Sequence, residues 1–138
     1  MNVFVDTNVL LDVISRREPF YGHGQEVWAL AERGLVRGFV AALSMPNIFY
    51  LLRRDGGRKK AMQALVGIRD TFTTVALDEQ ILNQAIDSGW EDFEDAIQYF
   101  SAVRANAECI ITRNEDHFAK ADMPVYSPID FLAEHSFE

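Results

Sequence analysis

Four aspartates of this 138-residue chain occupy positions where their chemistry, rather than the local structure, would account for them. Asp6 interrupts an apolar run in "NVFVDTNVLL", Asp92 and Asp95 lie three residues apart in "EDFEDAIQYF", and Asp116 follows the apolar stretch "ECIIT". Carboxylates brought to contact distance raise one another's pKa and resist joint ionisation. A divalent cation removes that conflict, and oxygen ligands without His or Cys favour Mg²⁺ or Mn²⁺ over Zn²⁺. Such a cation keeps several waters, can lower the pKa of one, orient it in line with a phosphodiester and offset charge on the leaving oxygen. Phosphodiester hydrolysis is the reaction this set would suit.

Each of these residues also has an ordinary use. Asp6 could cap the helix that follows it, yet a cap has no need of a site so deep among apolar residues, which favours a functional role. Asp92 with Asp95 matches a capping pair at a helix start; Asp92 reads first as a cap, Asp95 first as a functional acid. Asp116 fits a solvated loop as well as a ligand position. A phosphoryl-accepting role for Asp6 is disfavoured because the second acid expected two residues on is Asn8. His117 and His135 lack ligand spacing and are assigned no role. Cys109, the single cysteine, excludes an intrachain disulfide and reads as a small buried hydrophobe.

The elements that must position these acids follow from periodicity. "NVFVD" reads as a strand and "TNVLLDVISRR" as a helix, and "EPFYGHGQEVWALAERG" as a second helix stopped by Gly34. "RGFVAAL" is a strand, "SMPNIFYLLRRDGG" a helix beginning near Pro46, and "RKKAMQALVGIRD" another. "FTTVAL" is a strand, "DEQILNQAIDSG" a helix capped by Asp78, and "DFEDAIQYFSAVRANA" a long helix burying Phe93, Ala96, Ile97, Phe100 and Val103. "ECIIT", a loop with one helical turn, the strand "PVYS" and a helix from Pro128 complete the chain. Strands alternating with helices or helix pairs predict a five-stranded, mostly parallel sheet with helices on both faces. In such sheets ligands bind beyond the carboxyl ends of the strands, where Asp6 and the segment bearing Asn114 and Asp116 both fall. If the start of the long helix points there too, Asp6, Asp92, Asp95 and Asp116 meet.

With no repeat, no low-complexity segment and no linker, residues 1–138 are expected to form one domain. Neither a signal segment nor a membrane-length apolar run is present, so the cytoplasm is the expected compartment. The net charge of −8 argues at first against nucleic acid. Its distribution is uneven, however. "RRDGGRKK" concentrates Arg53, Arg54, Arg58, Lys59 and Lys60, whereas "DSGWEDFED" has five acids and no base. A dense acidic patch is either solvated surface or neutralised by a cation, and the basic stretch is the best candidate for contact with a phosphate backbone.

Taken together and in order, "VFVDTNVLLDVI", "ALSMPNIFYLLRR", "DFEDAIQYFSAV" and "IITRNEDHF" resemble the PIN domain family over nearly the whole chain. The resemblance implies a three-layer α/β/α sandwich with a central parallel sheet, and a metal-dependent ribonuclease site of three or four acids. Many single-domain bacterial members, resembling the VapC group, are toxins of toxin–antitoxin pairs that act as homodimers and are inhibited by an antitoxin; others process RNA without that role. Position by position, the first acid matches Asp6 and the third Asp95. The second, usually Glu, falls on Asn47, and the fourth on Asn114 in "TRN", with Asp116 two residues on; a subgroup of PIN-like proteins shares both changes. Asn can ligate through its carbonyl oxygen or hold a water, but brings no charge and cannot act as a general base. The expectation is that Asp6 and Asp95 hold Mg²⁺ or Mn²⁺ with Asp116 or Asp92 as third carboxylate. Asn47 and Asn114 would then orient water or phosphate, with Thr112 and Arg113 positioning the phosphate. The alternative is a PIN-like module that binds RNA or protein without cutting.

Overall fold

The computed structural model describes residues 1–137 and shows the alternating order the periodicity predicts. β1 (Asn2–Val5) leads into α1 (Thr7–Ile14) and α2 (Tyr21–Glu32); β2 (Arg37–Ala41) into α3 (Ser44–Gly56) and α4 (Arg58–Thr71). β3 (Thr73–Val75) is followed by α5 (Glu79–Asp87) and α6 (Phe93–Arg104), and β4 (Cys109–Ile111) by a 3₁₀ turn (Glu115–Phe118), β5 (Val125–Tyr126) and α7 (Pro128–Glu134). The sheet order is β3-β2-β1-β4-β5 and every pairing is parallel. This is the five-stranded α/β arrangement expected from the sequence. Among the described residues no helix is long and apolar enough to cross a membrane.

Alternation along the strands builds two cores. Val3, Val5, Val40, Cys109 and Ile111 enter one, with Val9, Leu10, Val27, Ile48, Ile68 and Phe131 from the helices on that face. Phe4, Phe39, Ala41 and Ile110 enter the other, closed by Ile81, Ala96, Ile97 and Phe118. Side chains two apart on a strand share a face, so Asp6 continues the line of Phe4 and Thr112 that of Ile110. Both are thereby aimed toward the α6 side of the sheet. Asp6 donates its backbone N–H to the Ile111 carbonyl at 3.0 Å, which fixes the ends of β1 and β4 side by side.

Two local readings are corrected. α2 begins at Tyr21 rather than at Glu18, because Pro19 and its neighbours form a turn. α3 begins two residues before Pro46. At the other end of α3, Gly57 takes a φ of 88°, a left-handed value that a side chain rarely adopts, and so turns the chain directly into α4. The buried thiol of Cys109 is pushed up to about 12 by desolvation, in keeping with a structural rather than reactive cysteine.

Candidate active site

Asp6 is 3% exposed. It occupies the cap position before α1, yet its side chain makes no capping hydrogen bond. Instead its Oδ2 accepts a hydrogen bond from Thr112 Oγ1 at 2.8 Å. Burial pushes its pKa above the ordinary value, since a charge is costly to desolvate; bonds from Thr112 and Gln98, and the nearby N–H groups of Asn8 and Thr7, pull it partly back. Gln98, buried on α6, is in turn held by Thr7, whose N–H and hydroxyl both reach its Oε1, at 3.2 and 3.4 Å. The Thr7 hydroxyl also makes a short hydrogen bond with that of Ser44, tying α1 to the start of α3.

Asp95 enters from the first turn of α6. Asp92 caps that helix, its Oδ1 accepting the Asp95 N–H at 2.9 Å. The Asp95 carboxyl is raised to about 6, first by desolvation and next by the charge of Asp92, with smaller pushes from Asp6 and Glu94; His117 opposes them. His117 Nδ1 stands 3.6 Å from Asp95 Oδ2. Asp6 and Asp95 thus face one open cleft of about 570 Å³. Its floor is Thr7, Asn8 and Leu11. One wall is Asn47, Tyr50, Leu51 and Arg54 of α3, the other Asp92, Glu94, Asp95 and Gln98 of α6 with His117. At the rim, Asn47 Nδ2 donates to Glu94 Oε2 at 3.5 Å.

The expected meeting of four carboxylates is not what this arrangement forms. Among the described residues, no three His, Cys, Asp or Glu side chains converge as a metal-ligand group. Asp92 is engaged as a helix cap, and Asp116, exposed on the 3₁₀ turn, lines a neighbouring concavity of about 470 Å³ that shares Asp92, Asp95 and His117 with the cleft. Asn114 does not line the cleft; it donates its backbone N–H to Thr112 Oγ1 at 3.0 Å and borders a separate surface hollow with Arg113 and Asp116. Thr112 is fully buried, so its contribution passes through Asp6 and not through a phosphate. Arg113 is likewise engaged: its Nε donates to Asp12 Oδ2 at 2.7 Å and its guanidinium lies 4.3 Å from the centre of the Phe20 ring. Of the basic cluster only Arg54 lines the cleft. Arg53 and Lys60 are exposed on the hairpin of α3 and α4, and Arg58 and Lys59 border a distant hollow with Met62 and Val66.

Five residues of this region carry no role in the sequence reading: Gln98, Glu94, His117, Asp12 and Tyr50. Gln98 lies three residues beyond Asp95 and Tyr50 three beyond Asn47, so helical spacing from a recognised site residue would have found both. Asp12 in "VLLDVI" carries the same signal as Asp6, a carboxylate inside an apolar run.

The donor set of the cleft fits a hard divalent cation. Mg²⁺ commonly takes one or two carboxylates and keeps its remaining waters, which Asp6, Asp95 and the Asn47 carbonyl oxygen could supply in a space open to solvent. The mutual repulsion of Asp6 and Asp95 is the charge conflict that such a cation relieves.

Comparison with known proteins agrees with this fold. The profile of the family described as "PIN domain" matches residues 2–116. No curated protein matches the chain. Among solved structures, a toxin–antitoxin complex from Klebsiella pneumoniae is similar with a TM-score of 0.68 and 22% identity, over 91% of this chain and 97% of that one. VapBC2 from Rickettsia felis, bound to a DNA fragment from its promoter, gives 0.68 and 12% over 92% and 98%. Mycobacterium tuberculosis VapC20, a Sarcin-Ricin loop cleaving toxin, gives 0.67 and 18% over 86% and 94%. At these identities the likeness is one of fold.

Proposed function

Because the chain belongs to the PIN domain family, we propose that it is an endoribonuclease dependent on Mg²⁺ or Mn²⁺, and the toxin of a toxin–antitoxin pair. One observation carries the reading: a buried aspartate at the end of the central strand and a half-buried one from a helix start face the same open, polar cleft. The toxin–antitoxin complexes among the structural relatives support the second half of it. An antitoxin partner, a homodimer and a cytoplasmic setting belong to the same proposal.

In this mechanism Asp6 and Asp95 would hold the cation, with the Asn47 carbonyl oxygen as an uncharged further ligand or water acceptor. When bound, the cation supplies an activated water and offsets charge on the leaving oxygen. Thr112 and Gln98 fix the Asp6 carboxylate in one orientation and favour its ionised form. Glu94 orients the Asn47 amide, and His117 offsets part of the negative charge around Asp95. Neither amide can take a proton from water, so water activation would rest on the two aspartates and the cation they would hold. Asp116 and Asp92 border the site and contribute to its negative field.

Purified protein with a mixed-sequence RNA is expected to cleave when Mn²⁺ is added and to stop with EDTA; cleavage that ignores EDTA would overturn the proposal. A second expectation concerns Thr112. Thr112→Val keeps the shape but removes the donor to Asp6, so the Asp6 carboxyl should hold its proton to higher pH. The rising limb of kcat/KM against pH should move to higher pH, and activity near neutrality should fall about 10- to 100-fold. A profile that stays in place would assign Thr112 to packing alone.

Binding of RNA or protein without cleavage is the second reading, favoured by the absence of a three-ligand group among the described residues. Calorimetry separates the two, since no Mg²⁺ or Mn²⁺ binding up to millimolar concentrations would favour the second reading.

A further inference from the structure

The cleft has two chemically different walls. The α6 wall is acidic, carrying Asp92, Glu94 and Asp95, while the α3 wall carries Asn47, Tyr50, Leu51 and Arg54 at spacings of three and four residues that put all four on one helix face. Tyr50 is 66% exposed, an aromatic ring left to solvent beside the two buried-site aspartates. Its only ring partner among the described residues is Phe49, edge-on at 5.2 Å, so the contact leaves much of the ring free. Arg54, one helical turn further along, is the only Lys or Arg lining the cleft, and its pairing with Asp55 at 3.4 Å is a solvent-exposed contact of neighbouring residues, of little energetic weight.

An exposed aromatic face and one guanidinium along a helix are the two elements with which proteins track an unpaired nucleic-acid strand: bases stack on rings, phosphates meet cations. On the reading that this cleft cuts RNA, we infer that Tyr50 stacks a base next to the scissile phosphate while Arg54 holds a neighbouring phosphate, so that the α3 wall, through these two side chains, is what grips the RNA strand. The opposite wall cannot serve, because its carboxylates repel the backbone. Tyr50 and Arg54 are both binding residues in this scheme; neither touches the reacting atoms.

The test uses the full chain and one labelled single-stranded RNA. Binding is read by fluorescence anisotropy without added metal, and cleavage by kcat and KM with Mn²⁺. Tyr50→Leu is expected to weaken binding of the single strand by about 5- to 150-fold, the range for loss of one base–aromatic stack, and to act mainly on KM. Tyr50→Phe, which keeps the ring, should bind more tightly than Tyr50→Leu. Arg54→Gln should lower the slope of log affinity against log salt by about one phosphate contact. If the parent cuts RNA while Tyr50→Leu binds and cuts as well as it does, this inference falls and the nuclease reading stands. If the parent neither binds nor cuts RNA with Mn²⁺, both fall.

Discussion

Asp95→Asn is expected to abolish RNA cleavage and, in the same protein, to raise stability near pH 7.5. The activity loss, on the order of 10³-fold or more, follows from removing one of only two carboxylates available to hold the cation. The gain in stability follows from the cause of its elevated pKa. Asp95 is raised to about 6 from 3.8 by desolvation and by Asp92, Asp6 and Glu94. A carboxyl that binds its proton more tightly when folded stabilises the fold fully below the unfolded value, and loses that contribution as pH rises through the folded one. At about pH 7.5 the parent therefore carries an unfavourable charge that Asn lacks, worth about 1 kcal/mol after discounting for the site's contact with water. Urea unfolding should show the variant ahead near neutrality and the gap closing toward about pH 4. Mn²⁺ should stabilise the parent and not the variant, because only the parent has the site the ion binds. A variant that is inactive and also less stable near neutrality would mean that Asp95 serves the fold.

That conflict between function and stability is also why part of this site was legible in the sequence. Asp6 stands out because three consecutive apolar residues lead into it, and Asp92 with Asp95 because their spacing matches a helix cap, which the structure shows at 2.9 Å. The parallel sheet was legible because strands short enough to be fully buried alternate with helices too long to be turns. The face of α6 was not. Periodicity puts Phe93 and Val103 inward, whereas they are 47% and 43% exposed and Gln98 and Ser101 are buried. Polar residues are drawn inside by bonds that hydropathy does not register: Ser101 Oγ to the Ile97 carbonyl at 2.7 Å, and Gln98 to Thr7. The supports of the site were equally invisible, since Thr112 reaches Asp6 across 106 positions and Arg113 reaches Asp12 across 101. Only the fold brings those partners together, so Thr112 and Arg113 read as phosphate ligands when their side chains are committed inward.

Arg113→Met is expected to be among the most destabilising single substitutions in the chain, and more so than Asp12→Leu. Asp12 is 2% exposed. Its Oδ2 is held by Arg113, while its Oδ1 has no hydrogen bond and meets only Arg17 Nη1, at 3.8 Å. Deleting the guanidinium leaves a buried carboxylate with almost nothing to compensate it, and breaking such a pair costs about 3–5 kcal/mol. Deleting the acid is milder, because the Arg113 side chain is 26% exposed and can keep its contact with Phe20 while turning its charge to water. The double variant Asp12→Leu/Arg113→Met removes both charges and should therefore be more stable than Arg113→Met alone. A double-mutant cycle on urea unfolding should give a coupling above about 1 kcal/mol; additive effects, or a larger loss for Asp12→Leu, would contradict this account. Activity separates packing from positioning. The Asp12–Arg113 pair anchors the segment that delivers the Thr112 hydroxyl to Asp6, so the double variant should recover stability further than it recovers cleavage.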